Sequence, residues 1–182
     1  AVAAIFHTVN HATFKASLFM AAGIIDHETG TRDMRRLSGL FQFMPYTATL
    51  AMVAAAAMAG VPLLNGFLSK EMFLAEALEE SSGTALDSAL PFLATAALLL
   101  SVLYSLRFVH KVFFGPASVD LPRKPQEAPF WMRVPIEVLV LGCLVVGIAP
   151  AYTIGPLLGS AVQAVLQDET PYYSLSIWHG FT

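Results

Sequence analysis

The chain has 182 residues, of which 56% are hydrophobic and 13% charged, and its mean hydropathy is +0.64. Soluble domains usually carry about 25% charged residues, so this composition is typical of a membrane protein. A net charge of −3 gives no indication of nucleic-acid binding, and a single cysteine, Cys143, excludes an internal disulfide framework.

Four apolar segments predict an all-α fold, a polytopic transmembrane helix bundle of about four spans. They lie at about 1–25, 45–78, 91–114 and 135–154, and crossing a bilayer takes about 20 residues. No strand-like alternation competes with this pattern. We therefore expect a partial transmembrane domain over 1–154, and an outer-interface helix with the start of a following segment over 155–182. Both ends of the chain look cut, so we expect a piece of a longer membrane protein.

The first segment carries three ionisable residues on one helical face. His7, His11 and Lys15 are spaced i, i+4, i+8, which places them on a stripe roughly 12 Å long. Lys15 lies about ten residues, or ~15 Å, from the end of its segment and therefore near the bilayer midplane.

A lysine at that depth indicates a function. A charged lysine near the midplane costs at least ~2.5–3.5 kcal/mol on insertion scales, and histidines can both receive and donate protons. The stripe therefore favours a proton relay over the alternatives, a snorkelling lysine and buried histidines with one hydrogen bond each. No third ligand lies nearby in sequence, so we predict no metal site.

The second segment contains an interruption. As one helix it would be about 50 Å long, too long for a bilayer. Gly60-Val61-Pro62-Leu63-Leu64-Asn65-Gly66 predicts a discontinuous helix broken near 60–66, which is tolerated inside protein or along a wet cavity. The alternative is a helix that ends at Leu64, followed by a surface segment. Lys70, just past the break, is a second candidate station of the relay, and Glu71 is a weaker one.

Loop charges give an orientation. Positive-inside reasoning places the first and third loops in the cytoplasm, because the second and fourth carry acids without Lys or Arg. The third loop contains four prolines and is predicted to be an extended strap. Its preceding helix ends with Arg107, His110 and Lys111, which topology and the helix dipole explain. A secondary role of Arg107 and His110 in the path is the alternative.

Three ordered motifs resemble a known family. They are His7-x-x-x-His11-x-x-Phe14-Lys15-Ala16-x-Leu18-Phe19, the loop ending Leu37-Ser38-Gly39-Leu40, and Gly66-Phe67-Leu68-Ser69-Lys70-Glu71. Together they are similar to the antiporter-like membrane subunits, found in Mrp-type multisubunit sodium/proton antiporters and in respiratory complex I. The last motif and Trp178-His179-Gly180-Phe181 most resemble the A-type subunits of Mrp antiporters.

The resemblance implies the roles of the candidate residues. His7, His11 and Lys15 would belong to a hydrated midplane proton path, and Lys70, on a discontinuous helix, would be its terminal lysine. The family fold has two inverted five-helix repeats, and this chain would hold the last three helices of the second repeat and one following helix. The glutamate–lysine pair of the first repeat has no counterpart here, so the chain alone is not expected to transport.

We therefore expect a multi-pass subunit of a hetero-oligomeric cation/proton antiporter in the bacterial inner membrane. It would be a transporter rather than an enzyme, moving protons against Na⁺ beside other subunits, without a cofactor and without binding nucleic acid. Two alternatives remain: a proton-pumping subunit of redox-driven complex I, and a non-conducting membrane scaffold.

Overall fold

The structure, a computed structural model, describes residues 2–79, 85–167, 173 and 175. Within them lie seven α-helices and one 3-10 turn at Leu40–Gln42, and no strand, so the predicted all-α fold is confirmed. The helices are α1 (Val2–Thr29), α2 (Pro45–Ala59), α3 (Asn65–Glu79), α4 (Ala85–Phe113), α5 (Phe130–Ile148), α6 (Pro150–Thr153) and α7 (Gly155–Leu166). The Trp178-His179-Gly180-Phe181 motif lies outside the described residues.

Two helices in the described part are long and apolar enough to cross a membrane by length and composition. They are Ser88–Phe113 within α4, with a mean hydropathy of 2.0, and α5, with 1.9. The second predicted span falls short of this length because its break divides it into two helices of 15 residues each. α1 has 28 residues, or ~42 Å, but its polar stripe lowers its hydropathy.

Prolines displace three predicted helix boundaries. α4 and α5 begin before Pro91 and Pro135, which the sequence places at the helix starts. An internal proline removes one backbone hydrogen bond, and the long apolar helices tolerate that loss. The fourth predicted span ends early, at Ile148, because Ala149 precedes Pro150 and takes a non-helical conformation with φ −133° and ψ 58°.

α1 is the helix against which most of the bundle packs, since α2, α3, α5 and α7 all contact it. One core lies towards its C-terminal end, where Ile24, Leu40 and Phe113 are buried together. A second core lies at its N-terminal end, where Phe6 packs with Leu158 and Val162 of α7. α7 therefore sits at the opposite end of the bundle from the basic loops. Its predicted place at the outer membrane interface stays a prediction.

The two basic loops pack against each other. Ser118 N–H donates to the Ser38 carbonyl at 3.3 Å, Arg123 N–H donates to the Thr29 carbonyl at 3.1 Å, and the Arg36 guanidinium donates to the Asp120 carbonyl. Both loops lie at the end of the bundle where α1 ends. This agrees with the loop-charge prediction that they share one side of the membrane.

The third loop also caps a helix. The Glu127 carboxylate accepts hydrogen bonds from the backbone N–H groups of Tyr46 and Thr47, at 2.8 and 3.2 Å, and from the Thr47 hydroxyl at 2.5 Å. An anionic acceptor at a helix N-terminus satisfies unpaired N–H groups and complements the helix dipole. Arg133 lies 3.9 Å from this carboxylate.

Candidate functional site

The break between α2 and α3 positions the site. α2 ends at Ala59 and is capped by Gly60, which has a φ of +89°. The Gly60 N–H donates to the Ala56 and Ala57 carbonyls at 3.0 and 3.1 Å. Leu63 also has a positive φ, of 69°, a conformation that is strained for a residue with a side chain. The predicted discontinuous helix is therefore confirmed.

Two glycines allow neighbouring backbones to approach the break. A Cβ atom on Gly66 would lie 1.8 Å from the Ala57 carbonyl oxygen, so α3 begins almost in contact with the end of α2. A Cβ atom on Gly147 of α5 would lie 2.3 Å from the Leu63 carbonyl oxygen. The break is therefore held between α2 and α5.

The lengths of α1 and α2 show that the break and Lys15 lie at a similar distance from one end of the bundle. Lys15 precedes the end of α1 by 14 residues, and Ala59 follows the start of α2 by 14 residues, which is ~21 Å in each helix. Because α1 ends and α2 begins at the same end of the bundle, Lys15 and the end of α2 lie at similar depth. Tyr104 is nine residues, or ~14 Å, from the same end of α4.

One cavity of about 320 Å³ at this depth contains all four predicted path residues. It is bounded by α1, α2, α3 and α4, and its ionisable side chains are those of His7, His11, Lys15 and Lys70, together with the phenol of Tyr104. The structure therefore brings together four predicted residues that are up to 63 positions apart in the sequence, and adds Tyr104, which is 97 positions from His7.

Hydrogen bonds place these side chains. His7 Nδ1 lies 3.1 Å from the Ser69 hydroxyl of α3, and the ring centroids of His7 and His11 are 5.8 Å apart. Lys15 Nζ donates to the Tyr104 hydroxyl at 2.7 Å. Lys70 Nζ donates to the Ser101 hydroxyl at 3.0 Å and also to a backbone carbonyl of α2. Each ionisable group thus has a polar neighbour on another helix or one turn away.

The ionisable groups that line the cavity are bases, apart from the Tyr104 phenol. No carboxylate lines the cavity in the part of the chain that the structure describes. A positive charge on any of these bases therefore has neutral polar neighbours rather than a carboxylate.

The secondary candidates lie elsewhere. Glu71 is exposed on α3 and does not line the cavity. Arg107 and His110 line a different cavity, of about 470 Å³, at the end of the bundle that carries the basic loops. A third cavity of about 340 Å³ contacts Lys15 and Tyr104 on one side and Arg107 on the other. A role for these three candidates in the path stays a prediction.

Sequence reasoning missed three residues of the cavity, Met58, Ser101 and Tyr104. Ser101, Tyr104 and Ser105 are polar side chains within the apolar run of α4, spaced i, i+3 and i+4, so they occupy one helical face. That spacing is the signal that could have identified the α4 residues. Nothing in the local sequence marks Met58.

A buried amide pair joins α1 to the start of α3. Asn65 Nδ2 donates to Asn10 Oδ1 at 3.2 Å, and both residues are about 1% exposed. Asn10 Nδ2 and Asn65 Oδ1 have no hydrogen-bond partner among the described residues. Because the two amides can pair only when the helices are correctly aligned, the hydrogen bond favours the observed packing of α3 against α1.

Comparison with known protein families identifies the family of this chain. Residues 1–104 match the family described as NADH:quinone oxidoreductase/Mrp antiporter, transmembrane. The chain belongs to this family. The resemblance to antiporter-like subunits and the membrane location, both predicted from the sequence, are thereby confirmed.

Individual relatives carry antiporter names. The chain is 70% identical over 181 residues to the probable K⁺/H⁺ antiporter A/B subunit of Rhizobium meliloti (strain 1021), covering 100% of this chain and 18% of that protein. It is 45% identical over 195 residues to the Na⁺/H⁺ antiporter A-type subunit of Alkalihalophilus pseudofirmus, covering 99% of this chain and 24% of that protein.

A solved structure agrees. The fold superimposes on a chain of the Mrp complex from Dietzia sp. DQ12-45-1b with a TM-score of 0.81 and 36% identity, covering 100% of this chain and 19% of that chain. The chain thus spans about a fifth to a quarter of the length of the relatives it matches.

Proposed function

We propose that the chain is part of a membrane subunit of a cation/proton antiporter complex, and that His7, His11, Lys15 and Lys70 carry protons through it. The observation that supports this most directly is their shared cavity at the helix break. Ionisable residues inside a membrane are costly and mark ion or proton pathways.

The arrangement fits a stepwise relay. A cavity of about 320 Å³ has room for several waters, since one water occupies ~30 Å³ of liquid. Water can bridge groups that do not touch, and each imidazole can accept a proton on one nitrogen while donating from the other. Lys15 and Lys70 line the same cavity, so water between them can pass a proton from one lysine to the other.

The exchanged cation and the partners are part of the proposal. The sequence predicts sodium, whereas one relative is named for a K⁺/H⁺ antiporter and another for a Na⁺/H⁺ antiporter. We propose a monovalent cation and a hetero-oligomeric complex in the bacterial inner membrane, because the chain superimposes on part of such a complex.

The test replaces Lys15 by Ala in the intact subunit, within the whole complex, in everted membrane vesicles. An imposed pH gradient should collapse on addition of Na⁺ or K⁺ in the wild type and persist in Lys15→Ala and in Lys70→Ala. Lys124→Ala is the matched control, because Lys124 is exposed in the third loop. Wild-type exchange in an assembled Lys15→Ala complex would contradict the relay.

The same vesicles separate the alternatives. The family description includes NADH:quinone oxidoreductases, in which electron transfer drives the pump. Proton movement that requires NADH and quinone would favour that role, whereas exchange driven by the cation gradient alone favours the antiporter. A scaffold subunit would tolerate neutral residues at both lysines as long as the complex assembles.

A further inference from the structure

Two hydroxyl residues of α4 lie between the lysines of the proposed path. Lys15 belongs to α1 and Lys70 to α3, yet both donate hydrogen bonds to α4: Lys15 to Tyr104 at 2.7 Å, and Lys70 to Ser101 at 3.0 Å. Ser101 and Tyr104 are three residues apart, so they lie on the same face of the helix.

Both hydroxyls also contact Met58 of α2. The Tyr104 hydroxyl donates to the Met58 sulfur, and the Ser101 hydroxyl donates to the Met58 carbonyl at 3.1 Å. Lys70 Nζ donates to the same carbonyl. Met58 is therefore the common contact of the two hydroxyls, through its side chain on one side and its backbone on the other.

The Met58 carbonyl is available because it lies in the last turn of α2, where carbonyls have no partner within the helix. In a continuous helix it would accept from the N–H of residue 62, but residue 62 is proline and has no N–H. A buried carbonyl without a partner is unfavourable, and Ser101 and Lys70 supply donors. The end of α2 thus leaves an acceptor, which proline at position 62 cannot occupy, and that acceptor holds the Lys70 ammonium group.

From these contacts we propose that Tyr104 and Ser101 are positioning residues that hold the Lys15 and Lys70 ammonium groups for proton transfer. This inference rests on the proposed function. Each hydroxyl donates its own hydrogen to Met58, which leaves its oxygen lone pairs directed at the lysine. An oxygen that accepts from an ammonium group favours its protonated form.

The Tyr104 hydroxyl matters because the other ionisable groups near Lys15 are basic. His7 and His11 on α1, Lys70 on α3 and Arg107 on α4 line the two cavities that contain Lys15. All of them are cationic when protonated, and no carboxylate lines either cavity in the described part of the chain. Neutral oxygen acceptors therefore take the place that a carboxylate has in an ion pair.

The experiment measures exchange in everted vesicles that contain the whole complex. Tyr104→Phe removes only the hydroxyl and should slow exchange about tenfold, since it removes a hydrogen bond to a charged group. The pH–rate profile should change as well, because the lost oxygen accepts a hydrogen bond from the protonated form of Lys15. Ser101→Ala should also slow exchange, and Ser101→Thr, which keeps a hydroxyl, should restore it.

Two controls use hydroxyls outside the cavity. Ser105→Ala removes a hydroxyl one turn further along α4 that donates only to the Ser101 carbonyl, and Tyr152→Phe alters a tyrosine that is 90% exposed on α6. Both should exchange at the wild-type rate with the wild-type pH profile. If Tyr104→Phe prevented assembly, the Ser101→Ala and Ser101→Thr pair would carry the test.

The outcomes separate this inference from the proposed function. An inactive Lys15→Ala together with wild-type exchange and pH profile in Tyr104→Phe and Ser101→Ala would overturn the inference and leave the relay intact. Slower exchange in Tyr104→Phe with an unchanged pH profile, and no rescue by Ser101→Thr, would show a packing role and also overturn it. Wild-type exchange in Lys15→Ala would overturn the relay itself.

Discussion

The close contact at Gly66 gives a sharp prediction for the break. A Cβ atom added to Gly66 would lie 1.8 Å from the Ala57 carbonyl oxygen, whereas real Cβ atoms essentially never come closer than 3.0 Å to such a neighbour. In Gly66→Ala the start of α3 must therefore move away from α2 by about 1.2 Å. The neighbour is backbone, so no side chain can rotate to relieve the contact.

The energetic cost follows from this displacement. Inserting a methyl group into a packed core costs ~1–3 kcal/mol, and a backbone contact belongs at the upper end of that range. Gly23→Ala is the matched control, because a Cβ atom there meets nothing within 4 Å. That change should stabilise α1 by up to ~1 kcal/mol, since alanine is the better helix former.

The displacement should also impair exchange. Lys70 is one turn after Gly66, and its 3.0 Å bond to Ser101 would lengthen beyond hydrogen-bonding distance if α3 moved by that amount. We expect Gly66→Ala to melt at a lower temperature than the wild type, measured by fluorescence-detected size exclusion of the heated complex, and to exchange more slowly. Equal melting temperatures and exchange rates in Gly66→Ala and Gly23→Ala would refute the close packing of α2 and α3.

Two further predictions concern the basic end of the bundle. Glu127→Ala should destabilise the fold by ~1–2 kcal/mol, because it removes the carboxylate that caps α2. Asp120→Ala, in the same loop, is the control. Equal melting temperatures for the two variants would contradict the capping role of Glu127. The hydrogen bonds from Arg35 hold the pKa of the exposed Asp33 carboxyl below its usual range. The pair therefore stabilises the loop at pH values above the ordinary carboxyl pKa. This stabilisation is lost as the pH falls through the lowered pKa. Arg35→Gln should raise that pKa in a carboxyl-carbon NMR titration, more at low than at high salt, and an equal change in Arg36→Gln would argue against the pairing.

Most of the helical architecture is readable from the sequence, because apolar length and helix-breaking residues act locally. The four predicted segments correspond to α1, to α2 with α3, to α4 and to α5, and the break falls within the predicted residues 60–66. The differences are at prolines. Pro91 and Pro135 look like helix starts in the sequence, but each costs only one hydrogen bond inside a long apolar helix.

The candidate site was only partly predictable, for a physical reason. Ionisable residues are costly in an apolar helix, so the sequence alone identifies His7, His11 and Lys15 as candidates. It identifies Lys70 because that residue follows the helix break. Ser101 and Tyr104 carry no charge, and side chains like theirs are common in membrane helices, so their role depends on what faces them. That is decided by the packing of α4 beside α2.

Met58 is the clearest case of a site residue that only the packing of the helices identifies. Its side chain is apolar and its position in α2 is ordinary, so no residue-type argument selects it. Its carbonyl is an available acceptor because α2 ends one residue later and Pro62 has no N–H to offer. That acceptor reaches Lys70 because Gly60 turns the chain and Gly66 lets α3 return against α2. The glycines and proline that predict a break therefore do more than interrupt a helix. They also bring the Met58 carbonyl and Lys70 together, and this contact holds the lysine that we propose as the end of the path.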